Sequence, residues 1–148
     1  MHIIVGSDHA GFPLKATLVE HLQVMGHTVT DIGSYDPEPV DFPDITRSLA
    51  EKVTAGEGER GLLVCGTGVG AAIAANKVKG IRAAVCHDVH SAHQSVEHDD
   101  VNVMCIGAQI VGPWLAKDLV SAFLKAEFST DEDFRRRVAK LAEMDSAR

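Results

Sequence analysis

An apolar run that ends in a cysteine and opens into alternating glycines constrains this chain more than any other feature. It reads Gly61-Leu62-Leu63-Val64-Cys65-Gly66-Thr67-Gly68-Val69-Gly70-Ala71-Ala72-Ile73-Ala74-Ala75-Asn76-Lys77. Leu62 to Cys65 form a continuous apolar stretch of strand length, the pattern of a strand buried on both faces. Gly66, Gly68 and Gly70 allow a tight loop whose backbone N–H groups approach a ligand closely. The alanine-rich segment then starts a helix with its positive end toward the same ligand. A thiol at that place feels a field that favours thiolate. The loop can therefore hold an anion and set a nucleophile or base beside it.

A strand that turns directly into a helix is half of a β–α–β unit, and the rest of the chain repeats the alternation. Strands are expected at 3–7, 28–31, 62–65, 83–86 and 103–106, and helices at 12–25, 45–54, 69–78, 91–97, 113–126 and 132–144. Asp41-Phe42-Pro43-Asp44 reads as a loop ending at a capped helix. Pro113 suits a first helical turn, where its missing N–H costs nothing. No linker or repeat divides the 148 residues, so one domain (1–148) is expected. The fold class is α/β: a three-layer, Rossmann-like or flavodoxin-like sheet of five parallel strands, with an extra C-terminal helix free to pack on a partner subunit. Strand order 2-1-3-4-5 is expected. That order sets the switch point between strands 1 and 3, where Asp8, His9, Cys65 and Thr67 would converge.

Charge and cysteine use exclude several classes. The net charge is −7 and the one basic run is Arg135-Arg136-Arg137, which argues against nucleic acid. No apolar run is long enough to span a membrane, and strand-like Ile3-Ile4-Val5 leaves no room for a signal peptide. Three cysteines, an odd number, fit reduced thiols in the cytoplasm. Cys86 and Cys105 read as small core residues. Asp8 could simply cap the first helix, and His9 could be a surface residue. His87, His90, His93 and His98 fall within twelve residues. His90 and His93 have ligand spacing, but no Cys or carboxylate completes a set, so no metal is expected. His98 precedes strand 5 beside Asp99 and Asp100, and is expected near the same sheet edge as Cys65. Gly66-x-Gly68-x-x-Ala71 with Asp88 also matches a dinucleotide fingerprint. Its mid-chain position and the preceding cysteine argue against that reading.

Taken together, Gly6-Ser7-Asp8-His9-Ala10-Gly11-Phe12, Val40-Asp41-Phe42-Pro43, Cys65 to Gly70 with Ala74-Ala75-Asn76-Lys77, and Glu97-His98 with Asn102-Val103 resemble the type B ribose-5-phosphate isomerases and the related galactose-6-phosphate isomerase subunits. The resemblance runs almost end to end. It implies an aldose–ketose isomerase that works through an enediolate with no metal or organic cofactor. It implies Cys65 as base, Thr67 as proton relay between the two oxygens, His98 assisted by Asp8 in ring opening, and His9 on the phosphate. The amides of Gly66, Gly68 and Gly70 would hold the oxyanion. It further implies a homodimer or dimer of dimers with active sites shared between subunits.

Departures from the family pattern fall on substrate recognition. Gly107-Ala108-Gln109 stands where the family usually has Gly-x-Arg. Asp133-Phe134-Arg135-Arg136-Arg137 stands where Arg-His-x-x-Arg usually opens the last helix, and Asp99 replaces an Asn. Arg137 remains in register, and Arg136, Arg135 or Arg47 could compensate. Two lost cations and two added acids weaken a phosphate clamp. Ribose 5-phosphate is therefore the default substrate, with a tetrose phosphate, a hexose phosphate or an unphosphorylated sugar as the alternative. A non-catalytic paralogue is disfavoured by the intact Cys65, Thr67 and His98.

Overall fold

The computed structural model describes residues 1–148. Its elements alternate as β1 (His2–Ser7), α1 (Phe12–Val24), β2 (Thr28–Asp31), α2 (Phe42–Thr54), β3 (Arg60–Cys65), α3 (Val69–Ala75), β4 (Ala83–Val85), α4 (Val89–Asp99), β5 (Val103–Gly107), α5 (Pro113–Lys125) and α6 (Glu132–Ser146). All four strand pairings are parallel. Alternating strand residues feed two cores. Ile3, Val5, Leu62, Val64, Met104 and Ile106 face α1, α4 and α5. Ile4, Leu63, Val103 and Cys105 face α2 and α3. That is the three-layer architecture expected from the alternation.

The order of the last two strands is exchanged: the sheet runs β2-β1-β3-β5-β4, not 2-1-3-4-5. Burial explains it. All five residues of β5 are buried, so it needs a neighbour on each side. The three residues of β4 are only half-buried and tolerate an edge. The exchange puts the Gly107–Gln109 turn directly beside the Cys65–Gly70 loop. Cys65 is in register with Gly107, and Gly61 with Val103.

Helix limits also differ. α2 begins at Phe42, three residues earlier than expected, because Pro43 occupies its first turn. Asp41, at its N-cap position, makes no side-chain cap bond. α6 is packed on α4 of its own chain, yet Val138 is its single buried residue. No helix is long and apolar enough to cross a membrane.

Candidate active site

The switch point between β1 and β3 brings the first and third loops together. Asp8 is buried, at 7 % exposure. Its Oδ1 accepts the Gly11 N–H at 2.9 Å, and its Oδ2 accepts the Cys65 thiol at 3.1 Å. The contact needs glycine at position 11: a Cβ there would sit 1.9 Å from the Val64 carbonyl oxygen. The sheet topology thus joins two groups more than fifty residues apart.

The protonation of Cys65 corrects an expectation. Burial pushes the thiol up first, and the adjoining Asp8 carboxylate pushes it further, by hydrogen bond and by charge. The Gly66 and Gly68 amides pull the other way and are outweighed. The free site therefore holds a thiol. A loop amide field is real here, but burial, joined by a carboxylate 3.1 Å from the sulfur, outweighs it.

The glycine loop is built by close approach. Gly68, with φ of +81°, caps α3 in the left-handed region, where a side chain is strained. A Cβ on Gly70 would strike the Phe42 ring at 2.7 Å. Thr67 is exposed, and its Oγ1 accepts the Val69 N–H at 3.3 Å. The Ala108 and Gln109 N–H groups donate to the Cys65 and Gly66 carbonyls at 2.8 and 3.0 Å. The Gln109 amide lies over Gly66, so the residue that stands for an arginine does face the loop.

His9 and Asp8 open onto a cleft of about 500 Å³ walled by Val40, Asp41, Phe42, Pro43 and Asp44. His9 Nδ1 accepts the Val40 N–H at 3.2 Å, which leaves Nε2 to donate. No Lys or Arg lines this cleft, whereas three carboxylates do. A larger cavity, about 1240 Å³, lies between the edge strand β4 and the end of α6. It includes Asp99 but none of the glycine-loop residues.

His98 is not at the Cys65 edge, contrary to expectation. It is in the last turn of α4, ahead of β5, and a residue that precedes a parallel strand lies at the sheet's opposite edge. The register alone separates Val103 from the Cys65 level by four residues, about 13 Å at 3.3 Å per residue. Within the chain Asp8 serves Cys65. His98 stacks on Phe134 of α6, with ring centroids 3.8 Å apart and planes 15° apart. Arg137 lies over the Phe134 ring, 5.6 Å from its centroid, and its guanidinium makes no hydrogen bond. Arg136 is tied to Asp133 at 2.7 Å and Arg135 to the Ser129 carbonyl at 2.9 Å. The Arg136 partnership holds the Asp133 carboxyl below its usual range. Exposed Asp99 adjoins His98. Within one chain, then, the expected site residues fall into two groups: Asp8, His9, Cys65, Gly66, Thr67, Gly68 and Gly70 at one edge, and His98, Asp99, Arg136 and Arg137 at the other.

Asp88 accepts the Ser91 N–H at 2.7 Å as the N-cap of α4. It is thus a helix cap, not the ribose-binding acid of a dinucleotide fingerprint. Cys86 and Cys105 are core residues. His93 pairs with Glu97, and no three metal-ligating side chains cluster. Sequence reasoning missed His87, whose Nε2 accepts the Gly107 N–H at 2.9 Å. Its place at the C-terminal end of β4, the edge where ligands bind in such sheets, was the available signal.

Comparison with known proteins gives concordant results. The family model described as Ribose/Galactose Isomerase matches residues 3–141. D-erythrulose-4-phosphate isomerase of Pectobacterium atrosepticum is 46 % identical over 130 residues, covering 86 % of this chain and 85 % of its own. Ribose-5-phosphate isomerase B of Escherichia coli is 46 % identical over 126 residues, covering 85 % of each. The solved ribose-5-phosphate isomerase B of Clostridium thermocellum superposes with a TM-score of 0.96 at 45 % identity over 99 % of both chains.

Proposed function

From the premise that this chain belongs to the ribose/galactose isomerase family, and is therefore an aldose–ketose isomerase acting on sugar phosphates, we propose that it interconverts ribose 5-phosphate and ribulose 5-phosphate through an enediolate at Cys65. The observation that carries the reading is the Asp8–Cys65 pair at 3.1 Å, on a loop whose amides face the sulfur. A sugar hydroxyl that donates to Asp8 displaces the thiol from the carboxylate, and the thiol releases its proton to water. The Gly66 and Gly68 amides then dominate, and the thiolate is free to remove the hydrogen from the carbon beside the carbonyl. Cys65 returns that proton to the neighbouring carbon. Thr67 Oγ1, at the loop's exposed tip, shuttles the second proton between the two substrate oxygens. The loop amides of Gly66, Gly68 and Gly70 stabilise the enediolate oxygen.

The cleft at Asp8 and His9 is acidic and lacks a cation, so a phosphate needs positive charge from elsewhere. We assign that charge to Arg137, with Arg136, on α6 of a second copy of the chain. The same copy brings His98 for ring opening, with Asp99 beside it. Val69, Ile73, Ile110 and Trp114, all more than half exposed around the catalytic edge, give the second copy an apolar surface to cover. The active unit is therefore a homodimer or a dimer of dimers, in which each site takes its base from one subunit and its cations from the other.

A four-carbon sugar phosphate is the second reading. It is favoured by Gln109 and Asp133, which replace cations the family usually carries, and by the relatives that act on erythrulose 4-phosphate and 4-deoxy-4-sulfo-D-erythrose. A panel of four- to six-carbon sugars, phosphorylated and free, followed by aldose–ketose conversion, tests both readings. The default predicts the highest kcat/KM on ribose 5-phosphate. A four-carbon phosphate in first place, with Asp133→Arg plus Gln109→Arg raising the use of ribose 5-phosphate, establishes the second.

A further inference from the structure

His87 belongs to no group named so far, yet it sits where β4 leaves the sheet. The β4–β5 register ends at Val85 opposite Cys105, and Cys86 still donates to the Cys105 carbonyl at 3.2 Å. The next backbone donor of β5 on that side, Gly107 N–H, has no strand partner left. The half-buried His87 ring fills the gap: its Nε2 accepts that N–H at 2.9 Å. A nitrogen that accepts carries no hydrogen, so the neutral ring holds its hydrogen on Nδ1.

Gly107 is the residue through which this bond reaches the catalytic loop. A Cβ on Gly107 would lie 2.6 Å from Thr67 Cα and 2.7 Å from the Gly66 carbonyl oxygen, so the two backbones are in direct contact. The N–H groups of the next two residues, Ala108 and Gln109, clamp the Cys65 and Gly66 carbonyls. Those carbonyls fix the planes of the first two peptide units of the glycine loop, and with them the direction of the Gly66 and Thr67 N–H groups. We propose that His87 is a positioning residue: by accepting the Gly107 N–H it holds the Gly107–Gln109 clamp against Cys65, Gly66 and Thr67, and so aims the Gly66 amide, the first of the oxyanion-binding N–H groups. The ring acts through backbone and does not touch the substrate. This rests on the reading of the loop as the isomerase site.

The role requires an acceptor at the Nε2 position. His87→Gln supplies a carbonyl oxygen at a similar reach, whereas His87→Ala removes the acceptor. Steady-state kinetics of aldose–ketose conversion, with melting temperature as the control, separate the possibilities. A misaimed loop should lower kcat of His87→Ala by about ten- to a hundredfold, with a smaller change in KM. His87→Gln should recover most of that loss, and melting temperatures of the two variants should agree. If His87→Ala does not fold, His87→Leu fills the space without an acceptor and takes its place in the comparison with Gln. Wild-type kcat in the acceptor-free variant, or equal losses in the Gln and acceptor-free variants, overturns the proposal. Cys65→Ala assayed alongside keeps the two claims apart. An active Cys65→Ala contradicts the isomerase reading of the loop, whereas an inactive one with an unaffected His87→Ala removes only the role of His87.

Discussion

The two edges of the sheet use opposite means. At the catalytic edge the parts are buried and short-ranged: Asp8 at 7 % exposure, a glycine loop held by backbone bonds, and close approaches that leave no room for a Cβ. There is no cation in its cleft. At the opposite edge the parts are half-buried or exposed side chains of α4 and α6, and the positive charge is there. His98 stacks on Phe134, and the Arg137 guanidinium over the Phe134 ring has no hydrogen-bond partner. Proton transfer needs atoms fixed to a fraction of an ångström, which backbone supplies. Capture of a charged group tolerates a long, solvated side chain. The difference teaches that one chain keeps the two kinds of part at opposite edges, which is why the proposed site draws on a second copy.

The sharpest way to break this division is Cys65→Ala. It should lower kcat on the order of a thousandfold, within the range for removing an essential acid–base group, while substrate affinity and the circular dichroism spectrum stay unchanged. Retention of a tenth of the activity would remove the thiol from the mechanism. His98→Asn probes the other edge. It should slow a cyclic aldose about a hundredfold, and a substrate that cannot cyclise far less, because only the ring form needs a proton moved beforehand. Equal losses on both substrates would deny His98 that role.

Arg137→Ala should act on binding. Losing one charge-assisted contact raises KM for a phosphorylated substrate by about ten- to a hundredfold, equivalent to roughly 1.5–3 kcal/mol, with little change in kcat. An unchanged KM would pass the phosphate to Arg135, Arg136 or Arg47. Asp8→Asn should give the smallest effect and the clearest sign. Burial and Asp8 both favour the protonated thiol, so alkylation of Cys65 should titrate above the usual thiol range. Removing the Asp8 charge takes away one of these two influences, so the rate–pH midpoint should move down. A midpoint that stays or rises would mean that the carboxylate is not what holds the proton.

Local pattern made the catalytic edge legible. The run Leu62–Cys65 and the three glycines specify strand, loop and helix without reference to the rest of the chain. The switch-point rule then pairs Asp8 with Cys65 from topology alone. What was not legible depends on three-dimensional competition. The swap of β4 and β5 follows from how completely Val103–Gly107 is buried, which residue type does not report. The protonated state of Cys65 follows from its burial and from the direction of one carboxylate oxygen. His98 is a different case. Its position just before a parallel strand already assigns it to the far edge, so its misplacement was an error of strand direction, not a lack of information.

Mixed subunits give the most direct measurement. Cys65→Ala damages the catalytic edge and Arg137→Ala the cation edge, so each homodimer should be impaired in both of its sites. When the two variants are co-expressed or refolded together, each heterodimer regains one intact site, made from the undamaged edge of each chain. At subsaturating ribose 5-phosphate, random pairing should restore about a quarter of wild-type activity, since half the dimers are mixed and each carries one good site in two. Recovery to that level is the result the shared-site account predicts. Activity no higher than the average of the two variants measured separately would show that each chain builds its site from its own residues.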